Sequence, residues 1–271
     1  MNKKSFIAIS ASLLFLVACA PQQAAAPVVG EIRLSTTTST YDAGLLQFLL
    51  PQFTYDTGWE VYVLYAGTGA ALQIGRDGEA DVVLVHARNL EDQFVADGYG
   101  STRHDVMFND FVVVGPAGII EHNTSMAYTM PRIFNEGLPF ISRGDNSGTH
   151  VRELELWAKV GIANYDANPG YIEVGQGMGP TLQMAAEMQA FTLTDRATWY
   201  ANRDSLFPLT MIMEGDEGLL NPYGIIPVIN APNSLEGAYA FVQWMTGERG
   251  QYLIGQFGLE TWGAPLFFPE A

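Results

Sequence analysis

The sequence predicts an α/β protein with mostly parallel sheets flanked by helices. Three observations point there. Short runs rich in Val, Ile, Leu and aromatic residues alternate with stretches whose apolar positions recur at helical spacing. One run, Asp81-Val-Val-Leu-Val85, is apolar almost throughout, as strands buried on both faces are. The composition, 48% hydrophobic and 12% aromatic over 271 residues, is too apolar for disorder and supplies a core for one large domain or two lobes.

In chain order, Lys3 and Lys4 precede an apolar stretch from Phe6 to Val17, about the length of a signal-peptide core and too short to span a bilayer. It ends in Leu16-Val17-Ala18-Cys19, which resembles a bacterial lipobox, and Cys19 is the chain's single cysteine. Residues 1–18 are therefore expected to be a lipoprotein signal peptide, with Cys19 lipidated after cleavage. The plainer alternative is an ordinary signal peptide with an incidental cysteine. Residues 19–30, rich in Ala, Pro and Gln, read as a flexible tether.

Glu31 to Ser35 is a short alternating strand that runs into Thr36-Thr-Thr-Ser-Thr40, and Leu45 to Phe53 has helical spacing. Trp59 to Tyr65 is a second strand, followed by Gly67-Thr-Gly69 and a helix from Ala70 to Gly75. After the Asp81–Val85 strand, Phe111 to Val114 is another, closed by Gly115-Pro116. Phe140 to Ser142 leads through Arg143-Gly-Asp-Asn-Ser-Gly-Thr149 into a helix that stops at Gly161. Gly175-Gln-Gly-Met-Gly179 precedes a helix from Pro180 to Ala190. Gly224 to Ile229 reads as a strand, and Ser234 to Gly247 as an amphipathic helix.

Four times a strand gives way to a Gly/Ser/Thr-rich turn that opens a helix: at Thr36–Thr40, Gly67–Gly69, Arg143–Thr149 and Gly175–Gly179. Helix N-termini expose backbone N–H groups and carry partial positive charge, so they favour anions. Glycine lets the backbone approach a ligand, and Ser or Thr adds a hydroxyl donor. Taken singly, each turn is also explained by ordinary capping. Arg143 is the sharpest candidate charge, placed to fork onto two oxygens or to pair with Asp145.

The blocks Leu34-Ser-Thr-Thr-Thr-Ser-Thr40, Ala66-Gly-Thr-Gly-Ala70, Asp81–Ala87, Asn109–Pro116 and Ser142-Arg-Gly-Asp-Asn-Ser-Gly-Thr-His150 resemble the tungstate-binding component of bacterial ABC transporters, the TupA family. The resemblance implies a two-lobed type II periplasmic-binding fold with the ligand in the interlobe cleft. Lobe 1 would comprise residues 31–112 and 224–271, and lobe 2 residues 113–223. The resemblance implicates Thr37, Thr38, Ser39, Thr68, Arg143, Ser147 and Thr149 in holding tungstate, with backbone N–H groups from Gly177, Met178 and Gly179. It also implies a monomer without cofactor or catalysis, delivering its ligand to a permease and ATPase. Molybdate has nearly the same size and charge as tungstate. Sulfate is smaller, and phosphate carries a proton that needs an acceptor.

Other classes fare worse. A formal charge of −16, becoming −18 when Lys3 and Lys4 leave with the leader, argues against a nucleic-acid partner. His86, His104 and His122 are scattered singly, without zinc-ligand spacing, and read as structural. Glu214-Gly-Asp-Glu217 lacks the spacing of a calcium loop and reads as a solvated turn. Ser147 and His150 share a helix face, as a nucleophile and base would, but no Gly-x-Ser-x-Gly elbow surrounds the serine. An adhesion lipoprotein would explain anchor and acidity but not the repeated helix starts.

Overall fold

The computed structural model describes residues 26–37, 40 and 43–271. The lipobox with Cys19, and Thr38 and Ser39 of the hydroxyl run, lie outside the described residues. The strands are β1 (Gly30–Thr37), β2 (Trp59–Ala66), β3 (Val82–Val85), β4 (His104–Pro116), β5 (Phe140–Ser142), β6 (Tyr171–Glu173), β7 (Thr192–Asp195), β8 (Leu209–Met213), β9 (Leu220–Pro227) and β10 (Phe268–Pro269). The helices are α1 (Leu45–Thr57), α2 (Thr68–Arg76), α3 (Arg88–Ala96), α4 (Met126–Asn135), α5 (Gly148–Lys159), α6 (Met178–Met188), α7 (Arg196–Asn202), α8 (Leu235–Thr246), α9 (Glu248–Gln256) and α10 (Leu259–Trp262).

The α/β expectation holds, but the main sheet is mixed rather than mostly parallel. β1 pairs in parallel with β2 and β3, as strands joined through helices do. β9, by contrast, is antiparallel to β3 and β4, and β4 is antiparallel to β7, β8 and β10. The reason is the path of the chain. β4 carries it out of the first lobe and β9 brings it back, and an outgoing and a returning strand lying side by side must oppose each other.

β4 changes partner within its length. His104 to Asp110 pair with β9, whereas Phe111 to Pro116 pair with β7 and β8. The change of partner falls between Asp110 and Phe111, and β9 begins at Leu220. The first point falls inside a continuous strand, and the second follows directly on the Glu217–Leu219 turn. Arg196 ties them together, with a bidentate pair to Asp110 at 2.7 and 2.5 Å and a contact to Glu214 at 2.7 Å. Its charge is held well above the ordinary guanidinium range by those carboxylates, in spite of burial, which acts the other way.

Apolar residues divide along the same line. Leu34, Phe53, Val82, Tyr223 and Phe241 pack in one core, and Phe111, Phe140, Trp157, Phe191 and Met213 in another. Trp157, Trp199 and Trp244 are buried, in keeping with a packing role. Two expectations need correction. The end of the tether is already docked, because Ala26 N–H donates to the Tyr55 carbonyl and Val29 N–H to that of Gly58, both at 2.9 Å. The Glu214–Glu217 turn is not merely solvated. Glu214 accepts from Arg196 and contacts His122 at 2.8 Å, and Asp216 accepts from the amides of Met126 and Gly218 at 2.9 Å.

Candidate functional site

Where β1, α2 and α5 meet between the lobes lies a partly open cavity of about 30 Å³. That is about two to three times the space one water requires, so the cavity suits a small ion rather than an organic molecule. Thr37, Gly67 and Thr68 line it from the first lobe, and Arg143, Ser147, Gly148 and Thr149 from the second. Five of the residues expected from sequence thus converge, although Thr37 and Thr149 are 112 positions apart.

The hydroxyl run is divided by function. Ser35 donates to the Ala71 carbonyl at 2.9 Å, Thr36 to that of Leu84 at 2.7 Å, and Thr40 to that of Thr37 at 2.8 Å. Ser35 and Thr36 hold β1 against α2 and β3, Thr40 closes a local turn onto the end of β1, and Thr37, the last residue of β1, lines the cavity. Thr68 opens α2 and is only 8% exposed, and its Oγ1 is buried without a hydrogen-bond partner among the described residues. Buried hydroxyls are nearly always paired. An orphan donor at a helix N-terminus, facing a small cavity, fits an anionic ligand.

The loop from Arg143 to Ser147 is built around Asp145. Gly144 adopts φ 59°, and a Cβ there would meet the Glu173 side chain at 2.6 Å, so the backbone requires glycine. Asp145 accepts from Arg143 Nη2 at 2.5 Å and from the Ser147 amide at 3.1 Å. Burial pushes the Asp145 carboxyl up, but the Ser147 bonds and the Arg143 charge outweigh it and hold the group below its usual range. Arg143 thus pairs with Asp145, as one of its two readings expected, and also lines the cavity. Ser147 caps α5, accepting from the His150 amide at 3.3 Å.

Among the other lining residues, His86, Phe111, Asp195 and Asn221 lie away from the turns singled out in the sequence. Burial lowers the His86 pKa to about 4, against a hydrogen bond to Asn221 that raises it, so the ring is neutral near pH 7. The Tyr223 ring lies 4.8 Å from it. Asn221 in turn donates to Asn109 at 2.7 Å. Asp195 ends β7 and caps α7, accepting from the Thr198 amide at 2.9 Å. The strand-to-helix transition at Asp195 is the same signal as the other helix starts, but an acid there does not read as part of an anion site.

Residues 21–249 match the PBP superfamily domain. The chain is 47% identical over 272 residues to the tungstate-binding protein TupA of Peptoclostridium acidaminophilum, covering 95% of this chain and 94% of that one. The chain belongs to the TupA family. Its fold is similar to the solved tungstate-binding protein TupA from Desulfovibrio alaskensis G20, with a TM-score of 0.81 and 40% identity over 90% of this chain and 100% of that one. It is also similar to the tungstate ABC transporter structure from Geobacter sulfurreducens, with a TM-score of 0.74 and 43% identity over 84% and 98% of the two chains.

Not every residue implicated by the TupA family resemblance reaches the cavity. Gly177, Met178 and Gly179 do not line it. Met178 is buried in a second-lobe cluster with Leu182 and Trp199, and Gly177 and Gly179 are exposed. Their turn is linked to the site through Arg143, whose Nε donates to the Gln176 carbonyl at 3.3 Å and whose carbonyl accepts from the Gly175 amide at 2.8 Å. Nor do Ser147 and His150 form a nucleophile and base. The serine oxygen is used as a cap, and Nδ1 of His150 accepts from the Asn146 amide at 3.0 Å.

Proposed function

We propose that this chain is the substrate-binding lipoprotein of an ABC transporter, capturing tungstate between its lobes and delivering it to a membrane permease and its ATPase. The observation that carries this reading is the convergence of Thr37, Thr68, Arg143, Ser147 and Thr149 on one small cavity, with the Thr68 hydroxyl unpaired. The names carried by its TupA relatives supply the choice of tungstate among oxyanions.

The chemistry follows from the donors. Hydroxyls, the starts of α2 and α5, and one guanidinium offer hydrogen bonds to a tetrahedral dianion, with each bond to the charged group contributing about 1.5–3 kcal/mol. The N-termini of the 9-residue α2 and 12-residue α5 add partial positive charge from opposite lobes. An anion bound between them bridges the lobes and stabilises their approach. No bond is made or broken in the ligand, so capture and release are the whole function. Export and anchoring at Cys19 would hold the site at the outer face of the membrane.

A thermal unfolding series tests this reading. A ligand that binds only the folded chain raises its midpoint as concentration exceeds Kd. Tungstate should raise the midpoint progressively, and molybdate should compete with it more strongly than sulfate or phosphate does. A midpoint unmoved by tungstate would contradict the proposal.

A further inference from the structure

Asp195 is an acid at a site proposed to receive a dianion. Its side chain is 5% exposed and lines the same cavity as Thr68 and Arg143. Oδ1 is engaged by the Thr198 amide. No ion pair joins Asp195 to a cation among the described residues, and the nearby cations are committed elsewhere. Arg143 pairs with Asp145, and Arg196 with Asp110 and Glu214.

We propose that tungstate is bound together with one proton taken from solvent, held on Asp195 between its second oxygen and the anion. This rests on the oxyanion-binding reading above and adds a role for Asp195 in it. Without the proton, a dianion would meet the Asp195 carboxylate with only the Arg143 guanidinium, itself shared with Asp145, to oppose it. With it, Asp195 becomes a hydrogen-bond donor to the anion.

The surroundings favour the neutral acid from every side. Burial is the largest influence and raises its pKa, while the Thr198 bonds and the more distant Arg143 charge oppose it. Across the cavity His86 is neutral and supplies no countercharge. From α5, His150 is bonded to the Asn146 amide, and Glu153 is turned to Trp157 and Tyr171. On β4, Phe111 sits opposite Asp195, and the adjacent Asp110 is occupied by Arg196. The first two turns of α6 carry no titratable side chain.

Calorimetry with sodium tungstate in buffers of different ionisation enthalpy reads the proton directly. Above the free carboxyl's own pKa, the intact chain should take up about one proton per tungstate, and its affinity should fall about tenfold per pH unit. Asp195→Asn keeps the cap acceptor and supplies a neutral donor, so it should bind with no uptake and little pH dependence. An infrared difference spectrum of the unaltered chain gives a second reading, a protonated-carboxyl band appearing with tungstate. Binding without proton uptake or without that band, or equal uptake by Asp195→Asn, would overturn the role of Asp195 and leave oxyanion binding standing. No tungstate binding by the unaltered chain would instead overturn the oxyanion reading itself.

Discussion

Gly148 and His86 touch across the cleft so closely that no side chain fits between them. A Cβ built on Gly148 would lie 2.4 Å from Cε1 of His86. The ring is backed by Tyr223 and bonded to Asn221, so it has little freedom to retreat. Gly148 opens α5 in one lobe, and His86 follows β3 in the other. Glycine here sets how near the start of α5 can approach the opposite lobe.

Gly148→Ala should therefore prop the lobes apart. We expect tungstate affinity to fall by about tenfold or more, a cost of about 1.4 kcal/mol. The unfolding midpoint without ligand should change little, because the added methyl meets the opposite lobe rather than its own core. Titration and thermal melts of the same preparation separate the two effects.

The hydroxyls should sort into two kinds. Thr68→Val removes an unpaired Oγ1 and should leave unliganded stability unchanged or slightly raised, while weakening tungstate roughly ten- to hundredfold. Thr36→Val should do the reverse. It deprives the Leu84 carbonyl of its donor and should lower stability by about 1–3 kcal/mol in denaturant melts. Equal effects of both substitutions on binding would contradict the division of the run.

Arg143→Ala should weaken tungstate by at least about tenfold with the fold intact, since it removes the fork and leaves the nearby Asp145 without its cation. Unchanged affinity would make the Arg143–Asp145 pair purely structural.

Glu153 predicts a pH effect on stability. Burial raises its pKa to about 7, against hydrogen bonds from Ser142, Tyr171 and Trp157 that lower it. The folded chain thus holds this proton more tightly than the unfolded one. Its contribution is fully present below the unfolded value near 4.5 and is lost as pH rises through about 7. Glu153→Gln should flatten the stability profile between those values, as read from denaturant midpoints. A profile as steep as that of the unaltered chain would contradict the buried-acid assignment.

Much of the candidate site's lining was legible in the sequence because its hydroxyls and Arg143 sit at strand-to-helix turns, and such turns carry local residue signatures. Thr37, Thr68, Arg143, Ser147 and Thr149 all have that form. His86 and Asn221 were not legible as site residues. Neither lies in a Gly/Ser/Thr turn, and their place depends on how β3 and β9 pair across the sheet. Asp195 has the right local form but the wrong charge for an anion site, and only its burial and neighbours make sense of it. The mixed sheet was missed for a similar reason. Strand direction at β4 and β9 follows from the route between lobes, and local periodicity does not report it.

Isothermal calorimetry of the mature chain against tungstate, molybdate, sulfate and phosphate tests the central claim most directly. We predict a single site of unit stoichiometry for tungstate, with molybdate the nearest competitor. Absence of heat with all four anions would contradict the account.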